Sequence, residues 1–264
     1  MKAVSKYWAI MTTQFQTSLA YPAEILGRSL ILLPFMWIFY QLWRVTYASA
    51  GTATINGLSL SNTMWYLVLT ETIELSHPRP GLVISESVKD GSIAYTLNKP
   101  YDFLLYHFSN AMGETLFRGA INILIGSTIV WWLAGAAPNP LGWLLVLPTM
   151  IGAWTLNFCI SAFIGLAAFS IEDISALQWI YQKLAFVLGG LLIPLDFYPG
   201  WLQTICKLLP FAAISYEPAR LFIAPTITKF LVVFGMQAAW IMGIGLLLTI
   251  VYRRGLRQLA VNGG

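Results

Sequence analysis

Short polar loops divide this chain into apolar segments about as long as a bilayer is thick. A helix that crosses a bilayer needs about 20 mainly apolar residues. The 264 residues are 58% hydrophobic and 10% charged, whereas soluble domains are about 25% charged, so no large soluble domain fits. We predict an all-α polytopic membrane protein with a single domain over residues 1–264. The six predicted spans are about Ala23–Tyr47, Ser59–Leu75, Gly113–Trp132, Trp143–Phe169, Ala176–Ile193 and Ile227–Tyr252.

The N-terminal segment, residues 2–20, has the periodicity of a surface helix rather than of a span. Its large apolar residues recur at steps of three and four, which predicts an amphipathic helix lying in the membrane interface. The segment lacks a compact apolar core followed by small residues, so we expect no cleaved signal peptide. The apolar residues of this pattern are Val4, Tyr7, Trp8, Met11, Phe15 and Leu19.

A polar connector, residues 82–100, separates the second and third predicted spans. It offers a short charged helical turn, then Gly91, which tolerates positive φ, then Ile93, Tyr95 and Leu97 at alternate positions. A short helix followed by projecting apolar side chains suits docking into a groove on a soluble partner. A solvated loop without a partner is the alternative.

Residues 194–225 contain two apolar helices that are too short to cross and are broken by prolines. They are predicted at Trp201–Leu209 and Phe211–Ile223 and favour a re-entrant or interfacial hairpin on the outer side.

The distribution of basic residues predicts the orientation, because short cytoplasmic loops are enriched in Lys and Arg. The loops assigned outside, residues 48–58 and 134–142, contain none. Both termini are therefore predicted in the cytoplasm, and the net charge of +4 is explained by topology rather than by nucleic-acid binding. The basic residues assigned inside are Lys2, Lys6, Arg79, Lys89, Lys99, Arg118, Arg253, Arg254 and Arg257.

Motifs for catalysis are not found in the sequence. There is no G-x-x-x-x-G-K-[ST] pattern for nucleotide phosphates and no nucleophile–base arrangement, so we expect no enzyme activity and no cofactor in this chain. His77 and His107 are interpreted as structural. Cys159 and Cys206 have no spacing partner, which predicts neither a disulfide nor a metal site.

Ionisable residues near the hydrocarbon zone are costly unless they pair or face water. Glu114 and Arg118 are four residues apart on one predicted helix and are expected to pair. Glu71 and Glu74 share a face of the second span, and either is hypothesised to face Lys183 of the fifth span. The alternative is that these charges lie at headgroup level without a partner.

The order of these elements resembles the permease subunit of type-2 ABC exporters. The connector is similar to that family's coupling stretch, and the end of the fifth span resembles its outer motif. The terminal Gly263 and Gly264 also fit. The two matching stretches are Ile84-x-x-x-Val88-Lys89-Asp90-Gly91-Ser92-Ile93-x-x-x-Leu97-x-Lys99-Pro100 and Leu191-Leu192-Ile193-Pro194-Leu195-x-Phe197-Tyr198-Pro199. Within this superfamily the chain most resembles the small six-span group that pairs two permeases with a separate ATPase.

The resemblance implies that two permeases enclose a translocation path in a bacterial-type inner membrane, with a heteromeric pair favoured. A coupling helix between spans two and three then docks on a P-loop ATPase, which binds ATP and Mg. The residues implied in coupling are Glu86, Val88, Lys89, Asp90, Gly91, Ile93 and Tyr95, with Glu172 and Asp173 in the second inner loop. For the last two, a solvated turn whose charges favour the dipole of the fifth span is the alternative.

The aromatic residues admit two interpretations. Most of the eleven tryptophans, such as Trp43, Trp131, Trp132, Trp143 and Trp201, fit an interfacial belt. Those on the spans that line the path in the family, Trp65, Trp179, Tyr181 and Phe186, are candidates for substrate contact together with Glu71, Glu74 and Lys183.

The scarcity of charge within the spans favours an amphipathic or hydrophobic substrate, such as a lipid, a glycan-lipid, a drug or an organic cation. Whether the transporter exports or imports is left open, with export preferred. Two other classes also stay open, an ion-coupled secondary transporter and a non-transporting membrane scaffold. The first would favour paired carboxylates at mid-membrane and repeated halves, and the second would tolerate a flexible linker in place of the connector.

Overall fold

The structure is a computed structural model that describes residues 2–20, 22–137 and 139–262. Within these ranges nearly all regular structure is helical, which confirms the all-α prediction. Gly263 and Gly264 lie outside the described residues. The helices are α1 (Lys2–Ala20), α2 (Pro22–Ser29), α3 (Leu32–Ala50), α4 (Leu60–Ser76), α5 (Pro80–Lys89), α6 (Ile93–Leu97), α7 (Phe103–Ala134), α8 (Pro140–Gly165), α9 (Ser175–Leu188), α10 (Gly200–Leu208), α11 (Pro210–Ile214), α12 (Tyr216–Ile223) and α13 (Ile227–Asn262).

In the part of the chain that the structure describes, four helical stretches are long and apolar enough to cross a membrane. Each of them contains one of the six predicted spans. The other two predicted spans correspond to α4, with 17 residues, and α9, with 14 residues. At 1.5 Å per residue these helices reach about 25 Å and about 21 Å, which is less than a hydrocarbon core of roughly 30 Å. The four stretches are Pro22–Ala50, Phe103–Ala134, Pro140–Phe169 and Ile227–Arg257.

The short helix α4 lies at the centre of the fold. Twelve of its 17 residues are buried, and it packs against α3, α7 and α12. The approach to α7 is close, because a Cβ on Gly126 would lie 2.3 Å from a methyl carbon of Val68. The indole N–H of Trp154 on α8 donates to the carbonyl of Ile73 at 3.1 Å. This shelter from lipid explains why α4 tolerates a polar composition that a lipid-facing span would not.

The first predicted span is a broken helix rather than a continuous one. α2 ends at Ser29 and α3 begins at Leu32. Pro34 explains the break, because its ring has no N–H to donate to the carbonyl of Leu30 and would clash with it in a continuous helix.

The loop predicted outside, residues 48–58, forms with Ser59 a two-stranded hairpin, β1 (Thr54–Ile55) and β2 (Leu58–Ser59). Asn56 and Gly57 both have positive φ, 49° and 78°, as a type I′ turn requires. The Asn56 amide donates to the carbonyl of Asp196 at 2.8 Å, which ties the hairpin to the later outer segment.

The fifth predicted span is shorter than expected. α9 ends at Leu188 instead of Ile193, and Gly190 has a φ of +67° that a helix cannot continue through. The Tyr66 hydroxyl of α4 donates to the carbonyl of Gly190 at 2.5 Å. Non-helical backbone after α9 is tolerated because side chains of the protein form hydrogen bonds with its polar groups.

The segment 194–225 contains three short helices, α10, α11 and α12, where two were predicted, because the second predicted helix is divided at Ser215. Gln237 of α13 connects this segment to the neighbouring helices by hydrogen bonds. Its side-chain amide donates to the carbonyls of Ala213 and Thr149, both at 2.9 Å, and so joins α11, α8 and α13.

The last predicted span also ends elsewhere. α13 continues to Asn262 instead of stopping near Tyr252. Arg253 and Arg254 are compatible with a helix, so these charges indicate where apolar sequence ends and not where the helix ends.

The N-terminal helix is confirmed as a helix over the predicted residues and packs along α7. A Cβ on Gly113 would lie 2.3 Å from the backbone carbonyl of Met11, so the two helices touch at a glycine. The rings of Phe15 and Phe117 meet edge to face at 5.5 Å. The predicted apolar face is divided, since Trp8 is exposed while Met11 and Phe15 are half-buried against α7.

Candidate functional site

The connector at residues 82–100 folds into two consecutive helices, α5 and α6. Pro80 occupies the first turn of α5, where its missing N–H costs nothing. Gly91 follows the C-terminal end of α5 and has a φ of +73°, as is common for a glycine after a helix. The Asp90 carboxylate accepts a bond from the backbone N–H of Ser92 at 2.8 Å. Hydrogen bonds from Ser92 lower the pKa of Asp90. Residues of the turn itself therefore stabilise the connection between α5 and α6.

One face of the connector is buried in the chain itself. Ile84, Val88 and Ile93 pack into an apolar cluster with Phe103 and Leu166. Two candidates for coupling, Val88 and Ile93, thus contact the core of the chain rather than the surroundings.

The expectation that alternate residues of the connector project together is wrong. Ile93 is 1% exposed, whereas Tyr95 is 81% exposed and Leu97 is also exposed. The reason is that α6 is helical, so residues two apart point in different directions, whereas the predicted pattern assumed an extended period of two. Tyr95 remains as the protruding aromatic side chain.

The other face of the connector is open and charged. Glu86, Lys89, Asp90, Gly91 and Tyr95 are all exposed. They lie on α5, the following turn and α6, and form a continuous stretch that we call the connector rim.

The loop of residues 170–174, which was predicted as the second inner loop, lies beside the connector rim. Glu172 and Asp173 are exposed there, and the Asp173 carboxylate accepts a bond from the backbone N–H of Ser175 at 2.9 Å. Hydrogen bonds from Ser175 lower the pKa of Asp173, and the nearby charge of Lys89 lowers it further. α5 also packs against residues 166–169, which lead into this loop, so the two predicted inner loops lie on one face of the fold.

α5 is fixed to α8 through glycines. The backbone N–H of Gly81 donates to the hydroxyl of Ser161 at 3.1 Å. A Cβ on Gly81 would lie 2.3 Å from the Ser161 carbonyl, and one on Gly165 would lie 2.6 Å from the Gly81 carbonyl. Contact at this distance leaves no side chain between the backbones, so a displacement of α5 acts directly on α8.

Two path candidates are buried inside the chain. Trp65 is 2% exposed, stands edge to face with Trp143 at 5.8 Å and donates its indole N–H to the carbonyl of Gly135 at 3.1 Å. Tyr181 is buried, with its ring 6.1 Å from that of Phe211. Neither ring faces an open path in this conformation.

The remaining aromatic path candidates lie on the open face of α9. Trp179 and Phe186 are exposed, and the Lys183 ammonium lies 5.6 Å from the Trp179 ring and 6.0 Å from the Phe186 ring. These distances are typical of cation–π contacts.

The hypothesised pair between Lys183 and an α4 carboxylate is not formed among the described residues. Glu71 is buried, and Glu74 lies 3.4 Å from Nε2 of His77. Lys183 lies on the exposed side of α9, whereas α4 is enclosed, which explains the separation. The predicted pair of Glu114 and Arg118 is confirmed.

A cleft of about 710 Å³ lies between α2, the end of α4, α7 and α9. Its polar floor is a buried chain in which the Ser29 hydroxyl donates to Asn122 at 2.6 Å and the Asn122 amide donates to the Ser76 hydroxyl at 3.1 Å. Sequence analysis did not find this site, because its residues come from four helices. The available signal was an arginine near the inner end of each of several spans. The charged lining residues are Arg28, Glu74, His77, Arg79 and Arg118.

Comparison with known proteins agrees with this architecture. A family model described as "ABC-2 family transporter protein" matches residues 19–263. A search of curated proteins finds no match. The matched range covers α2 to α13, including the connector rim, the second inner loop and the outer short helices. With nearly the whole length matched, the chain belongs to the ABC-2 family of transporter proteins.

Proposed function

We propose that this chain is the membrane subunit of an ATP-driven exporter and that its connector rim docks on a separate P-loop ATPase. ABC-2 membership implies an ATP-binding partner and a membrane context. The observation that carries the proposal is the two-sided connector. Its inner face is buried in the core through Val88 and Ile93, while its outer face presents Glu86, Lys89 and Tyr95.

The two-sided arrangement supports coupling for a mechanical reason. A segment that transmits motion must grip both the partner and the membrane helices. The exposed aromatic ring of Tyr95 suits a hot spot in a partner's groove, and the glycine contacts of Gly81 fix α5 to α8. ATP and Mg bind the partner subunit, and motion of that subunit moves α5 and α8 together.

The proposed topology has six crossings, with α4 and α9 inserted among longer neighbours and both termini in the cytoplasm. Contacts support a common side for the termini and the connector. Lys6 of α1 donates to the carbonyl of Pro100 at 2.5 Å, and the rings of Phe103 and Tyr252 stack at 5.7 Å. A bacterial-type inner membrane is the proposed location, with α1 lying in its cytoplasmic interface.

The proposed transporter contains a second permease, and a sister chain is favoured over an identical one. Exposed apolar residues of α9, among them Ile180, Leu184 and Val187, support this proposal, because they offer a surface against which a second chain can pack. The proposed substrate is amphipathic or hydrophobic, and transport is outward.

Co-purification of the ATPase tests the coupling. Tyr95→Ala and Glu86→Lys change exposed side chains and should leave the chain folded. Because a hot-spot side chain contributes about 1–2 kcal/mol or more, each change should reduce the recovered ATPase by about tenfold. The measurement is the ATPase-to-permease ratio after affinity purification of the tagged chain in mild detergent. Trp8→Ala is the matched control, since Trp8 is an exposed aromatic residue of α1 outside the connector rim.

Normal recovery of the ATPase with both rim variants would show that the connector rim is not the docking surface. Absence of any P-loop ATPase from the wild-type preparation, even after crosslinking, would overturn the proposed function itself.

A further inference from the structure

The cleft between α2, α4, α7 and α9 contains three guanidinium groups that differ in how far the chain pairs them. Three arginines and one glutamate line it, together with His77. The Glu74 carboxylate is engaged by His77 at 3.4 Å, whereas Arg79 forms no ion pair with any described residue. Because Arg28 pairs with Glu24 at 2.8 Å and Arg118 pairs with Glu114, the positive charge left for a ligand is mainly that of Arg79.

Arg118 has bonding capacity that the chain does not use. One guanidinium nitrogen pairs with Glu114 on the preceding turn of α7. Its Nε atom is buried and has no hydrogen-bond partner among the described residues. A buried donor without a partner is unfavourable, and the planar fork of arginine suits phosphate or carboxylate groups. An anion in the cleft would satisfy this donor.

The walls of the cleft also have apolar parts. Ile25, Ile31 and Leu75 line it beside the arginines, and Ile31 and Leu75 are exposed to the surroundings. The break between α2 and α3 lies at its edge. A ligand that combines an anionic headgroup with an apolar tail fits both kinds of wall, since the headgroup meets the arginines while the tail lies along the aliphatic side chains.

We propose that this cleft binds the anionic headgroup of an amphipathic molecule from the cytoplasmic leaflet, with phosphate or carboxylate as the recognised group. Arg79 and Arg118 contact the headgroup, and Ile31 and Leu75 contact the start of the tail. The leaflet and the role of the ligand as cargo rest on the proposed function, whereas the binding itself is a property of this chain.

Gly27 provides a matched test of charge at the cleft. It lines the cleft on α2, and a Cβ there would meet no atom within 4 Å, so a long side chain fits without a clash. Gly27→Lys and Gly27→Glu have the same backbone and nearly the same size but opposite charge. The control is Arg254→Gln, which removes an exposed charge of α13 that is not in the cleft.

The measurement is binding of fluorescent phosphatidylglycerol and phosphatidylcholine to the purified full chain in neutral detergent, without nucleotide. A charge pair at a partly exposed site contributes up to about 1 kcal/mol, so phosphatidylglycerol should bind about two- to fivefold more tightly to Gly27→Lys and correspondingly more weakly to Gly27→Glu and Arg79→Gln. Phosphatidylcholine binding should not change. Arg254→Gln should behave as wild type.

Equal binding of both lipids to the wild-type chain would overturn the proposal, as would identical effects of Gly27→Lys and Gly27→Glu. Competition with inorganic phosphate separates the two sources of the ligand. Displacement at millimolar phosphate indicates that a water-soluble anion is sufficient, and retention of the lipid indicates that the tail is required. Because no ATPase takes part, failure of lipid binding leaves the coupling proposal untouched, and the converse also holds.

Discussion

At the scale of single residues, backbone carbonyls after α9 are held by hydroxyl groups of α4. Tyr66 donates to the carbonyl of Gly190 at 2.5 Å and Thr70 donates to that of Leu191 at 2.9 Å. An unsatisfied carbonyl in a hydrocarbon environment costs several kcal/mol, so these two bonds allow α9 to end inside the protein. Gly190 makes the geometry possible, since its φ of +67° is unfavourable for a residue with a side chain.

Gly190→Ala is expected to destabilise the chain. A Cβ there would lie 2.9 Å from a carbon of Leu195 and 3.0 Å from the Tyr66 hydroxyl, and positive φ adds about 1–2 kcal/mol. The melting temperature in detergent should fall. Gly243→Ala is the control, because Gly243 lies in α13 with open space around it and alanine favours the helix by about 0.5–1 kcal/mol. Similar melting temperatures for the two variants would contradict this explanation.

At the scale of elements, sequence periodicity located the helices well and their ends poorly. Apolar runs indicate how far a segment is buried in lipid or protein, but the end of a helix depends on local backbone constraints. Pro34 breaks the first span although the residues around it are uniformly apolar. α9 ends at Leu188, five residues before the predicted end at Ile193, because Gly190 takes a positive φ just beyond it. Arg253 and Arg254 interrupt the apolar run without ending α13.

The open face of α9 is the element for which a partner permease is proposed, and it can be tested by crosslinking. Leu184 is exposed, so Leu184→Cys introduces an accessible thiol. The native cysteines, Cys159 and Cys206, are buried and should not react. With Leu184 at an interface, a short bis-maleimide should link the chain to its neighbour in membranes, and the mass of the product distinguishes a sister permease from a second copy. Val45→Cys on the exposed face of α3 is the matched control in an apolar setting. Equal, weak crosslinking at both positions would argue against an interface at α9.

At the scale of the whole molecule, the sequence indicated the connector but not the inner cleft. The connector is contiguous, and its polarity contrasts with apolar spans on both sides, so composition alone drew attention to it. The cleft joins Arg28, Arg79 and Arg118 from distant parts of the chain. Their proximity depends on the packing of α2 and α4 on α7, which a linear pattern does not reveal.

The enclosure of α4 has a consequence for biosynthesis. α4 is 17 residues long and contains Glu71 and Glu74 in its C-terminal half, and charged residues within a span oppose its insertion. α4 is synthesised before α7, so the helix that shelters it is absent when α4 first meets the bilayer. Insertion of α4 alone should therefore be unfavourable. We therefore expect glycosylation-site reporters to detect poor insertion of α4 in a chain truncated after Ser76 and good insertion in one extended through Ala134. Equal insertion in both chains would show that α4 needs no neighbour to enter the bilayer.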